Sequence, residues 1–144
     1  MNASFRTHDV TASPLPRAYD LILSRDMMIH LPNRDVASAL GIFAASGSRF
    51  LLATTTEVDP EEADNLNKEL SGGSTYSDHH AGRDVALELP PFRLPRPVCA
   101  AFQYQETSAA GLSEPASYLG LWDMHHPAFR RRLRGLSRVA QLKA

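Results

Sequence analysis

The sequence predicts an α/β fold, and three observations carry that expectation. The run "DLILS" (20–24) is apolar on both faces, as a parallel strand covered by helices on each side must be. The segment "RDVASALGIFAAS" (34–46) repeats apolar residues at helical spacing. A second β-rich run, "RFLLATTT" (49–56), follows directly, so strand, helix and strand form one βαβ unit with a right-handed crossover expected.

The elements follow in order. "SFRTHDV" (4–10) reads as a short strand that ends at Asp9. "TASPLPR" (11–17) is a connection, because two prolines break regular structure. "DLILS" then turns abruptly polar at Ser24, Arg25 and Asp26, before Met27, Met28, Ile29 and His30. Asn33 is the expected helix cap, with Asp35 in the first turn. Val36, Leu40 and Phe43 fall on one helical face, and Gly47 supplies the stop signal. After the second strand, residues 57–97 read as one long irregular connection: acidic, then polar, then proline-rich in "LELPPFRLPRP". A connection of that length often carries function. "VCAAFQY" (98–104) and "YLGLWDM" (118–124) read as an antiparallel strand pair. The tail, 125–144, holds six Arg and Lys residues and no acid. Phe129, Leu133, Leu136 and Ala140 share one face of the helix expected there.

Composition narrows the function classes. The 144 residues fit one domain, with 43% hydrophobic and 22% charged residues. A formal charge of -1 gives no global field that would favour nucleic acid or an anionic membrane. One cysteine, Cys99, excludes an internal disulfide and fits a reducing compartment. It lies in an apolar strand and is expected to be buried and inert. No apolar run approaches the length needed to cross a bilayer, and the start has no signal-peptide pattern, so a cytoplasmic location is expected. The pairs His79–His80 and His125–His126 invite a metal. Adjacent residues on a strand point to opposite faces, and no spacing matches a zinc site, so none is expected.

The order and spacing of "HDVTASPLPRAYDLILSRDMMIHLP", "ALGIFAASGSRFLLATTT", "LELPPFRLPRP" and "YLGLWDM" resemble the later half of a class I S-adenosylmethionine-dependent methyltransferase. The likeness spans residues 4 to 124. It implies a partial Rossmann-like methyltransferase sheet. "DLILS" and "RFLLATTT" would be the family's strands 4 and 5, and "VCAAFQY" and "YLGLWDM" its strands 6 and 7. The family sheet orders these strands 4-5-7-6, with strand 7 antiparallel. Ligands of open α/β sheets bind beyond the carboxyl ends of the strands. The resemblance therefore implies cofactor contacts from Asp9, Ser24 and Arg25, with His30 and Asp26 as catalytic candidates. His30 and Asp26 suit a general base by position and titration range.

One departure matters. The family's glycine-rich loop and its ribose-binding acid both lie upstream of strand 4, and neither motif is among these 144 residues. Gly72 and Gly73 do not replace the loop, because they follow the second strand. The resemblance thus implies a truncated methyltransferase-like domain over 1–124 and a basic helical tail over 125–144. It implies methyl transfer from S-adenosylmethionine to an unknown acceptor, with a partner supplying the missing half. The alternative is a non-catalytic interaction module. In that case Leu21, Ile22 and Leu23 form an apolar strand edge through which the chain associates with itself or with a partner.

Overall fold

The computed structural model describes residues 3–61, 63–70, 83–104 and 116–141, with side chains described throughout except at 102–104 and 136–141. The chain is a mixed α/β structure. Its regular elements are β1 (Leu21–Ser24), α1 (Asn33–Ala45), β2 (Phe50–Thr56), β3 (Cys99–Tyr104), β4 (Ser117–Asp123) and α2 (Pro127–Gln141). All four strands expected from 20 onward form. They make one sheet in the order β1-β2-β4-β3. β1 pairs parallel to β2, with Ser24 opposite Ala53, while β4 runs antiparallel to both β2 and β3.

The segment at 4–10 is not a strand. Residues 3–9 are irregular, and Asp9 instead closes a turn by accepting from the Thr11 amide and hydroxyl at 2.9 and 2.7 Å. A short aspartate that bonds the backbone two residues on competes locally with strand pairing. β1 is therefore an outer strand of the sheet.

Both helices lie on one face of the sheet. Val36, Leu40 and Phe43 of α1 are buried, as their spacing predicts, with Ala39 beside them. They join Leu51, Ala53, Trp122 and Met124 of the sheet side, and Phe129 and Leu133 of α2, in a single core cluster. Pro32 rather than Asn33 takes the cap position of α1. Asn33 starts the helix, and its side-chain amide donates to Asn67 O at 2.9 Å. The helix ends at Ala45 with Ser46 as its cap, and Gly47 follows in the left-handed region at φ 78°.

The long connection supplies core. Val85, Leu87, Phe92 and Leu94 are buried and belong to the same cluster. The proline-rich segment cannot enter a sheet, yet it packs as an irregular layer. Thr56 N donates to Val85 O at 2.8 Å, and Leu87 N donates to the Thr55 hydroxyl at 3.0 Å. Asn67 anchors this layer. Its side-chain amide donates to Ala86 O and Pro90 O, each at 2.8 Å, and its side-chain oxygen accepts from Ala86 N at 2.9 Å. α2 braces it from outside, where Arg132 donates to Pro91 O and Phe92 O.

The opposite sheet face carries Leu21, Leu23, Phe50, Leu52, Leu121 and Cys99, by register with one another. No described helix covers it. Leu21 is 47% and Leu23 60% exposed, whereas Ile22 packs on the core. β1 thus buries one face rather than both. Cys99 is exposed, not buried, because it sits on outer strand β3 and faces away from the helices. No described helix is long and apolar enough to cross a membrane.

Candidate functional site

The carboxyl ends of β1 and β2 meet at a tight polar turn. β1 must end here, because Asp26 adopts φ 52°, a left-handed conformation uncommon for a residue with a side chain. β2 holds that conformation in place. Asp26 N donates to the Thr54 hydroxyl at 2.8 Å, and the hydroxyl donates back to Asp26 Oδ1 at 2.9 Å. The second carboxylate oxygen takes the Arg25 guanidinium at 3.2 Å. That pair is solvent-exposed and contributes little to stability. Asp26 is thereby engaged as the clamp of the turn.

Ser24, immediately before the turn, is 5% exposed. Its hydroxyl is buried and has no hydrogen-bond partner among the described residues. Such an orphan is uncommon and costs about 1–3 kcal/mol when left dry. It lines a cleft of about 510 Å³ between β1 and the amino-terminal segment, together with Val10, Leu15, Ile22, Met27 and Phe43. Arg25 and His8 reach the same cleft. A volume of this size lies within the roughly 300–1,000 Å³ of small-molecule sites.

Among the residues that the sequence singles out, Ser24 and Arg25 are brought together on this cleft. Asp9 sits between two lining residues, His8 and Val10, and does not itself line it. Its carboxyl is exposed, and the Thr11 hydroxyl and amide hold it below the usual carboxylate range. His30 lies farther on, in the 3-10 turn Met28–His30, half-buried beside the buried Met28. Arg83 ties that turn to the long connection: Arg83 N donates to Ile29 O at 3.3 Å, and its guanidinium to Leu31 O at 2.8 Å. Burial lowers the Arg83 pKa from its ordinary value. The histidine pair His79–His80 lies outside the described residues. His125 and His126 are exposed, and His126 Nδ1 accepts from Ala128 N at 3.3 Å at the start of α2. Among the described residues no group of His, Cys, Asp and Glu is placed to hold a metal ion.

Sequence reading missed Thr54. The signal was the run Thr54–Thr56 at the end of β2, where hydroxyls meet the next turn. It also missed a second cleft at the same end of the sheet. This one holds about 730 Å³ and lies over β3 and β4, with Glu57, Glu88, Leu94, Arg96, Ala100 and Tyr118 among its lining. Nothing in the spacing of these residues brings them together before the irregular layer folds back. The chain matches no protein-family model, no curated protein and no solved structure.

Proposed function

We propose that this chain forms the strand-4-to-7 half of a class I methyltransferase site and takes part in methyl transfer from S-adenosylmethionine to an acceptor. The observation that carries the reading is the orphaned Ser24 hydroxyl, lining an apolar cleft at the carboxyl end of β1. A buried polar group without a partner is what a site retains for a ligand. The sheet supports the same reading. Its order β1-β2-β4-β3, with β4 antiparallel, is the order and sense that the resemblance implies for strands 4-5-7-6.

On this reading Ser24 and Arg25 contact the cofactor and the Asp26–Thr54 clamp fixes their approach. His30 is the candidate general base. Asp9 holds the turn between His8 and Val10, the two residues that reach the cleft from the amino-terminal side. These 144 residues hold neither the glycine-rich loop nor the ribose acid, so by themselves they bind S-adenosylmethionine no tighter than about 1 mM. The protein's contribution to the reaction is positioning and electrostatics.

The test is amide NMR of the chain with millimolar S-adenosylmethionine. Shifts are expected at residues 24–30. Ser24→Ala should abolish them while leaving stability unchanged or raised by up to about 1 kcal/mol, because it deletes an unsatisfied buried group. Shifts that ignore 24–30, or a Ser24→Ala variant that is destabilised by more than about 2 kcal/mol, would show that the hydroxyl serves the fold instead.

A second reading has its own observation. Leu21 and Leu23 stand exposed on an outer strand, the signature of a strand that recruits another chain. On this reading the chain is a non-catalytic interaction module, and the same edge self-associates or receives the partner.

A further inference from the structure

One edge of β1 pairs with no other strand among the described residues, because β1 ends the sheet. Phe50 N donates to Asp20 O at 3.1 Å, and Leu21 stands opposite Phe50. In a parallel ladder this register turns the backbone groups of Ile22 and Ser24 towards β2 and those of Leu21 and Leu23 away from it. The chain's own amino-terminal segment does not take the vacant side. Among the described residues no backbone hydrogen bond joins 3–17 to 21–24. The cleft beside β1 follows this edge. Leu21 and Leu23 line it from one face of the strand, Ile22 and Ser24 from the other, so the backbone between them is open. Leu21 and Leu23 are also the exposed apolar side chains of the strand.

We propose that the occupant of this edge is β1 of a second copy of the chain, antiparallel, about a two-fold axis through Ile22. The inference rests on the interaction reading above and gives it a partner. The groups available select the register. An axis at Ile22 places Leu21 opposite Leu23 of the second copy, and Leu23 opposite its Leu21. Each is a hydrogen-bonded pair, in which both residues exchange N–H and C=O, so every outward group of the two leucines is satisfied. A shift of the axis to Leu21 puts Leu23 opposite Tyr19. The Tyr19 N–H already donates to the Ser48 hydroxyl at 2.9 Å, and its carbonyl already accepts from Arg49 N at 3.2 Å. A shift to Leu23 sets Leu21 against Arg25, at the turn where Asp26 takes φ 52° and the strand stops. The side chains favour the same register. The axis is perpendicular to the sheet, so the leucines of both copies meet on one face, beside their register neighbours Phe50 and Leu52. A partner for this edge must be a short apolar strand with two outward residues, and a second copy carries one by construction.

The test uses the full chain without cofactor. Sedimentation velocity from about 10 μM to about 1 mM should show a monomer converting to a dimer. Amide hydrogen exchange reads the pairing itself. The Leu21 and Leu23 amides should exchange at least about tenfold more slowly at the top of that range than at the bottom, whereas Ile22 and Ser24 should not change. Leu23→Pro deletes an outward N–H and leaves the ladder to β2 intact, a substitution that edge strands tolerate. It should hold the chain monomeric with Ile22 and Ser24 still protected. If that variant does not fold, Leu21→Lys reads the same association, since Leu21 is exposed. A dimer whose Leu21 and Leu23 amides exchange as in the monomer overturns the pairing. A chain that stays monomeric with those amides exchanging freely overturns the second copy as occupant and leaves the open edge. A monomer in which they are already protected has no open edge, and the interaction reading falls with the inference. Concentration-dependent protection in a chain whose residues 24–30 ignore S-adenosylmethionine upholds the pairing while the methyl-transfer reading falls.

Discussion

Asn67 offers the sharpest test of how the irregular layer is held. It is 6% exposed and adopts φ 56°. Its side chain makes three hydrogen bonds to backbone groups of Ala86 and Pro90, which flank the Glu88–Leu89 wall of the second cleft. Asn67→Ala strands one N–H and two carbonyls, at about 1 kcal/mol each if water or small shifts recover part of the loss. It also places a Cβ-bearing residue without a local side-chain bond in the left-handed region, at about 1 kcal/mol more. The expected loss is about 4 kcal/mol, a large part of a typical domain stability of about 5–15 kcal/mol. With a urea slope of about 2 kcal/mol/M, the unfolding midpoint should fall by about 2 M. Asn67→Gly relieves the backbone but not the hydrogen bonds, so it should recover about 1 kcal/mol relative to alanine. Urea titrations followed by far-ultraviolet circular dichroism measure both. A midpoint shift below about 0.5 M for alanine, or glycine no better than alanine, would refute the reasoning.

Three further outcomes follow from the packing. A Cβ at Gly120 would lie 2.6 Å from the Trp122 ring, and that ring is held by its N–H donating to Pro95 O at 2.7 Å. Gly120→Ala should therefore cost about 1–3 kcal/mol and change the near-ultraviolet spectrum of the single tryptophan; an unaltered melt would mean the ring has room to move. Of the four tyrosines, Tyr118 should ionise above the ordinary value near pH 10, and Glu88→Gln should bring it down, as read by phenolate absorbance. Because its folded pKa is raised, its contribution is complete below about pH 10 and lost as pH rises towards the folded value, so Tyr118→Phe should flatten that part of the alkaline stability loss. Leu23→Lys should leave the melt within about 0.5 kcal/mol, since Leu23 is 60% exposed, and should abolish any self-association seen by light scattering. A wild-type chain that stays monomeric at high concentration would rule out the edge as a self-association surface.

The strands and the first helix were legible because each announces itself locally. Val36, Leu40 and Phe43 repeat at helical spacing, and Leu51 to Thr56 is β-rich between polar ends. The helix spacing of Phe129 and Leu133 was equally plain, and both are buried. What was not legible is set by partners distant in sequence. "SFRTHDV" has strand composition, but Asp9 finds Thr11 before it finds a neighbouring strand. "LELPPFRLPRP" has no period at all, so nothing local marks Leu87, Phe92 and Leu94 as core; Asn67, some twenty residues upstream, and Arg132, some forty downstream, fix its course.

The same distinction bears on β1. An aliphatic run reads as doubly buried because composition does not say which faces are covered. In the folded chain Ile22 and Ser24 face the helices, while Leu21 and Leu23 face outward. A chain optimised only for its own stability would carry polar residues at 21 and 23, by the alternation of half-buried strands. It would also carry alanine at 24 rather than a buried serine with no hydrogen-bond partner among the described residues. Both departures fall on one four-residue strand, at the end of which Asp26 holds an unfavourable backbone conformation. Local rules broken together at one place mark function more often than chance packing. If the exposed leucines receive a partner and the buried hydroxyl receives a ligand, one chain docking on β1 can complete the cleft, and association and ligand binding become a single coupled equilibrium. Leu23 also lines the cleft, so Leu23→Lys should weaken assembly and ligand binding together, whereas Ser24→Ala should weaken the ligand without preventing assembly.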